Sequence, residues 1–198
     1  IYNRWFSDAI FLGKYPEIAL EVLGKYLPSE FRDDLKIIST PIDWLGLNYY
    51  TRSLIKNYKS NDGINYECLR GDLKKTDMEW EFYPQGLGYF IERIHNEYNK
   101  KIPIYITENG MANKDFLNEK NEIIDEDRIE YLDLHLKEVL KCLNKGIPIK
   151  GYFAWSLMDN YEWSFGYEKR FGIVYVDYQS FKRIPKKSYY EFQKYLCV

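Results

Sequence analysis

Three apolar runs in this chain each end in polar or aromatic groups, and amphipathic segments separate them. Ile104-Tyr105-Ile106-Thr107-Glu108-Asn109-Gly110 is rich in β-branched and aromatic residues and stops in a carboxylate, an amide and a glycine. Such a run reads as a buried strand that delivers an acid to a loop, because Asn and Gly tolerate left-handed backbone angles. Ile42–Thr51 has the same form and ends in Asn48, Tyr49 and Tyr50, and Lys150–Ser156 follows Pro148 and leads through Trp155 into Leu157–Trp163.

Between the strands, Leu87, Phe90, Ile91, Ile94 and Tyr98 fall on one helical face. Ile129, Leu132, Leu136, Val139, Leu140 and Leu143 do the same, with Asp125 as the N-cap and Gly146 as the C-terminal stop. Alternation of strand and helix calls for parallel pairing through right-handed crossovers. The fold class is α/β. If these strands belong to a barrel, the side chains at their C-terminal ends face the active site.

With 198 residues, 45% of them hydrophobic, the chain is long enough to bury one core, and it has no long uncharged apolar run. Its 28 basic and 30 acidic residues are interspersed and leave a net charge of -2, so neither nucleic acid nor a membrane surface is an expected partner. Cys68, Cys142 and Cys197 are odd in number and lack metal-ligand spacing, and only His95 and His135 are available beside them. No metal or cofactor is expected, and the thiols read as reduced, structural residues of a cytoplasmic protein. Both histidines are read onto helix surfaces, solvated or half-buried.

Lys56–Glu79 is polar and aperiodic and includes Asn61-Asp62-Gly63, which reads as a long loop with a hairpin at the mouth of the site. Asn113–Asp127 is a second polar connection, directly after the strand that carries Glu108. Lys186–Leu196 reads as a short amphipathic helix with solvated lysines. The opening Ile1–Phe6 has neither a start methionine nor a targeting or capping signal, so the chain is expected to begin inside a larger domain.

Several motifs in order carry a resemblance. They are Gly46-Leu47-Asn48-Tyr49-Tyr50-Thr51, Tyr105-Ile106-Thr107-Glu108-Asn109-Gly110, Trp155 through Glu162-Trp163, and Lys169-Arg170-Phe171 through Asp177-Tyr178. Together with Asn3–Asp8 and Gly13–Pro16 they resemble glycoside hydrolase family one, the β-glucosidase family, essentially from end to end. Family members are (β/α)8 barrels about twice this length. The resemblance therefore implies that residues 1–198 are a single incomplete TIM-barrel domain, the C-terminal half with strands six to eight. The family's Asn-Glu-Pro motif, which supplies the acid/base glutamate, is absent from this sequence. The implied partner is the N-terminal half of the same barrel.

Retaining glycosidases use two carboxyl groups about 5 to 5.5 Å apart, one attacking the anomeric carbon and one protonating the leaving oxygen. By resemblance Glu108 is the nucleophile, Tyr50 donates to it, and Asn48 lies beside the sugar. Trp155 resembles the sugar platform and precedes a cis, non-proline peptide bond. Glu162 and Trp163 match the pair that hold sugar hydroxyls, Phe171 lines the glycone pocket, and Trp80 stands at the aglycone entrance. Asp159 and Asp177 resemble loop-bonding structural positions. The implied substrates are unphosphorylated β-glucosides or β-galactosides. Two alternatives stay open: a 6-phospho-β-glycosidase, and a non-catalytic carbohydrate-binding or assembly fragment. Phosphoglycosidases replace the pair at Glu162-Trp163 with smaller or hydroxyl residues and add a lysine-tyrosine clamp, because a carboxylate repels phosphate.

Overall fold

A computed structural model describes residues 2–58, 66–98 and 101–196. Three parallel strands form its main sheet: β1 (Leu45–Asn48), then, after a β2 (Leu54–Asn57) and β3 (Tyr66–Leu69) hairpin, β4 (Ile104–Asn109) and β5 (Ile149–Ala154), in the order β1-β4-β5. The crossovers are α4 (Gln85–Arg93), which runs on through one π-helical turn at Ile94–Tyr98, and α5 (Glu126–Asn144). Three helices precede the sheet: α1 (Tyr2–Leu12), α2 (Glu17–Leu23) and α3 (Phe31–Ile38). A β6 (Val174–Val176) and β7 (Arg183–Pro185) hairpin and α6 (Lys187–Leu196) follow it. The expected hairpin in the polar stretch after β1 is therefore present, while Asn61-Asp62-Gly63 lies outside the described residues, as does Cys197.

One face of the sheet carries the core. Ile104, Ile106 and Ile149 pack with Leu87, Ile91 and Ile94 from the first crossover and Val139 and Cys142 from the second. Each such side chain, taken fully out of water, contributes about 1.5–3 kcal/mol. The opposite face is open, with Trp44 53% and Phe153 57% exposed. Among the described residues, no helix is long and apolar enough to cross a membrane.

Four local expectations need correction. The buried face of α5 is Arg128, Tyr131, Leu132, His135, Val139 and Cys142, while Leu140 and Leu143 are exposed. Periodicity located the helix but misjudged its inward stripe by about one residue, because an arginine and a histidine lie on the buried side. Asp125 does occupy the N-cap position of α5 but makes no side-chain cap; its carboxylate accepts instead from the Ser188 backbone N–H at 2.9 Å and hydroxyl at 2.6 Å, and from Arg128. His135 is fully buried rather than on the surface, stacked on the Tyr131 ring at 3.9 Å. Lys186 is fully buried rather than solvated, bonded to Asp115 at 2.5 Å and Asp159 at 2.7 Å. Gly146 does end α5, at φ 79°, where a side chain would be strained.

Candidate active site

At the C-terminal ends of the parallel strands the chain leaves the ladder, and an irregularity in β4 re-aims one side chain. Leu47 pairs with Ile106, but the next pair is Asn48 with Glu108, so Thr107 is extra. A bulge of this kind breaks strict alternation and turns successive side chains to the same side. The Thr107 hydroxyl donates to Asn48 Oδ1 at 2.6 Å, and Glu108 Oε2 accepts the Tyr50 hydroxyl at 2.6 Å. Asn109 returns to the helix side and is fully buried.

Burial, followed by the hydrogen bond and charge of Glu108, raises the Tyr50 phenol well above its ordinary value. Tyr50 is thus a neutral donor at any physiological pH. Around it lie Trp80, with ring centroids 5.4 Å apart, and Phe171, at 6.1 Å and edge-on. Phe171 is buried and Trp80 half-buried. A cavity of about 540 Å³ opens beside them, lined by Trp80 with Thr51, Arg52 and Glu81. A larger one of about 790 Å³ lies among α1, α2 and α3, away from Glu108.

Just past the end of the third strand, Trp155 is half-buried, and the Trp155–Ser156 bond is cis, as the resemblance implies. Gly110 is what allows this approach, since a Cβ there would lie 1.8 Å from the Trp155 carbonyl oxygen. The Trp155 N–H bonds the Asn109 carbonyl at 2.9 Å, and the Ser156 N–H bonds that of Phe171 at 3.1 Å. The nucleophile candidate, the platform candidate and the pocket ring are therefore linked through backbone. Glu162 is half-buried, and its carboxyl is raised by burial and then by the charge of Glu108. Trp163 is 81% exposed. Sequence reasoning brought forward Glu108, Tyr50, Trp80, Phe171, Trp155 and Glu162, which the structure assembles at one end of the sheet. Asn48 is at the same end, with its carbonyl taken by Thr107, whose role had no signal beyond its place before Glu108.

A buried ion network holds the loops at this end; sequence reasoning brought forward Asp159 as a loop-bonding position but not its cations Arg128, Arg170 and Lys186. Asp159 accepts from Arg170 at 2.6 Å, from Lys186 and from the Gly172 N–H at 3.0 Å; Asp115 accepts from Lys186 and from Arg128 at 2.7 Å. Arg170 and Gly172 flank Phe171, so the network fixes that ring's backbone. Asp177 bonds within its own loop, to the Gln179 N–H at 3.0 Å and the Ser180 hydroxyl at 2.6 Å. Among the described residues, no group of three His, Cys, Asp or Glu side chains is placed to hold a metal ion.

A carboxylate presented with a phenol donor and aromatic rings at the C-terminal ends of parallel strands stands where barrel enzymes carry their active sites. Residues 1–196 match glycosyl hydrolase family 1, and the chain belongs to that family. It is 44% identical over 185 residues to beta-glucosidase A of Thermotoga maritima, covering 93% of this chain and 41% of that protein. It is 36% identical to a 6-phospho-beta-galactosidase of Clostridium acetobutylicum, covering 98% of this chain and 46% of that one. The family 1 β-glucosidase structure from T. maritima superposes with a TM-score of 0.92 at 42% identity, over 98% of this chain and 43% of that one. The same enzyme in complex with isofagomine lactam superposes with a TM-score of 0.91. The chain spans less than half the length of these relatives.

Proposed function

We propose that this chain is the C-terminal half of the (β/α)8 barrel of a retaining β-glycosidase that hydrolyses unphosphorylated β-glucosides or β-galactosides. The observation that carries the reading is the 2.6 Å bond from the Tyr50 hydroxyl to Glu108 Oε2 at the strand ends. In this reading Glu108 attacks the anomeric carbon and holds the sugar as a covalent ester, which water then cleaves. Tyr50 stays protonated and orients the attacking carboxylate. Trp155 supports the sugar's C–H face, Phe171 closes the glycone pocket, Asn48, Glu162 and Trp163 read hydroxyls, and Trp80 meets the aglycone. The exposure of Trp163 suits a group that meets substrate rather than core.

In this reading the general acid comes from the complementary N-terminal half, as the family resemblance implies for the Asn-Glu-Pro motif that this sequence does not contain. The open inner face, with Trp44 and Phe153 exposed, supports a barrel completed by further strands. The 6-phosphoglycosidase reading draws on the 36% identical relatives, and against it stands Glu162, whose charge repels a phosphate. The test is complementation. The chain alone should give no turnover of nitrophenyl glucoside beyond slow glycosylation, and supplying the N-terminal barrel half should restore it. Glu108→Gln should then lower kcat by several orders of magnitude. A variant that keeps a tenth of the activity, or robust cellobiose hydrolysis by this chain alone, would overturn the proposal.

A further inference from the structure

Tyr50 lies just beyond β1, where the strand ladder no longer sets the direction of its peptide. What holds it there comes from elsewhere in the fold. The Tyr131 hydroxyl, on α5, donates to the Tyr50 carbonyl at 2.6 Å. Asn109 donates to the Tyr49 carbonyl at 2.7 Å and to the Tyr131 oxygen at 3.3 Å, while its own carbonyl accepts from the Tyr152 hydroxyl at 2.5 Å. Both amide hydrogens and the carbonyl of Asn109 are therefore engaged. Asn109 and Tyr131 are fully buried, so water cannot replace these bonds. The His135 ring stacks on Tyr131, and its Nδ1 lies 2.7 Å from the Tyr131 carbonyl oxygen. The phenol is thus fixed at both its ring and its backbone.

Asn109 directly follows Glu108, so one short stretch carries both the carboxylate and the anchor for its donor. We infer that Tyr131, with Asn109 and Tyr152, is a positioning residue that sets the Tyr50 hydroxyl on Glu108 by clamping the backbone carbonyls of Tyr49 and Tyr50. Tyr131 touches neither Glu108 nor any substrate in this scheme and acts only through Tyr50. The inference rests on the proposed role of Glu108 for its catalytic meaning, while its structural content is independent of it.

The test uses the chain complemented with its barrel half and labelled with ¹³Cζ tyrosine, the Tyr50 resonance being the one lost in Tyr50→Phe. Tyr131→Phe removes one oxygen and keeps the stacked ring. It should move the Tyr50 resonance, and Tyr152→Phe should do so less. In turnover, Tyr131→Phe should lower kcat roughly tenfold with KM within about twofold, since small misplacements of reacting groups act on kcat. Added to Tyr50→Phe, it should cost nothing further, because its path runs through that hydroxyl. An unmoved Tyr50 resonance, or a kcat loss that persists in the Tyr50→Phe background, would reduce Tyr131 to a packing residue. If the wild type shows no turnover, the proposed function fails, and the Tyr50 resonance alone decides the positioning.

Discussion

Two sets of carboxylates in this molecule have opposite surroundings. Asp115, Asp125 and Asp159 are buried against Arg128, Arg170 and Lys186, three anions against three cations, with backbone N–H groups of Gly172 and Ser188 completing the shells. Glu108 and Glu162 lie half-buried at this end of the sheet, where Glu108 receives a phenol, and burial followed by the charge of Glu108 works against ionisation of Glu162. Buried charges that are fully matched hold segments together, and removing one partner strands the others. Carboxylates left with a donor and a like charge keep capacity for a ligand. The first set joins the loop after β4, the start of α5, the loop after β5 and the start of α6, and so supports the backbone from which the second set projects.

The largest effect that breaks this comparison comes from Lys186, whose ammonium is lowered chiefly by burial and then by Arg128. Lys186→Met leaves Asp115 and Asp159 with one cation fewer, and chemical denaturation should show a loss of about 3–5 kcal/mol. A loss within 0.5 kcal/mol, the size of a typical surface substitution, would mean that the network is not structural. A smaller effect is expected at Glu162. Glu162→Ser in the complemented enzyme should lose about 10- to 100-fold in kcat/KM on plain nitrophenyl glucoside, as charge-assisted bonds to hydroxyls disappear. On the 6-phosphorylated analogue it should lose less or gain. Wild type preferring the phosphorylated sugar would instead favour the phosphoglycosidase reading.

A third effect is a slope against pH. Burial lowers the His135 imidazole from 6.5 to about 4. Below pH about 6.5 the unfolded chain takes a proton that the folded chain refuses, so this part of the stability is full above that pH and fades until about pH 4. His135→Phe keeps a ring against Tyr131 and should flatten stability against pH across that window. Identical slopes for the two proteins would show that His135 charges without unfolding.

The same contrast explains what the sequence made legible. Tyr50, Glu108 and Trp155 stand at the ends of apolar runs, and a run that stops in polar groups is a local signal. The helices carried theirs in apolar spacing. The ion network has no such signal, since Lys186 meets Asp115 across 71 positions and Asp159 across 27, and a lysine that opens an amphipathic helix looks solvated from its neighbours alone. His135 was misread for the same reason: only the packing of α5 on the sheet shows that its ring is covered. The extra residue in β4 that turns Glu108 beside Thr107 depends on pairing with β1, which no single strand's pattern contains.

The central claim is that Glu108 forms the covalent bond to the sugar. An activated 2-fluoro-glucoside glycosylates a nucleophilic carboxylate and then hydrolyses slowly, because fluorine next to the anomeric carbon destabilises the charge-developing transition state. After incubation with the complemented protein, mass spectrometry should show one added fluoroglucosyl group on this chain, mapped to the peptide containing Glu108 and absent from Glu108→Gln. Turnover with no adduct, or an adduct on another carboxylate, would contradict the account.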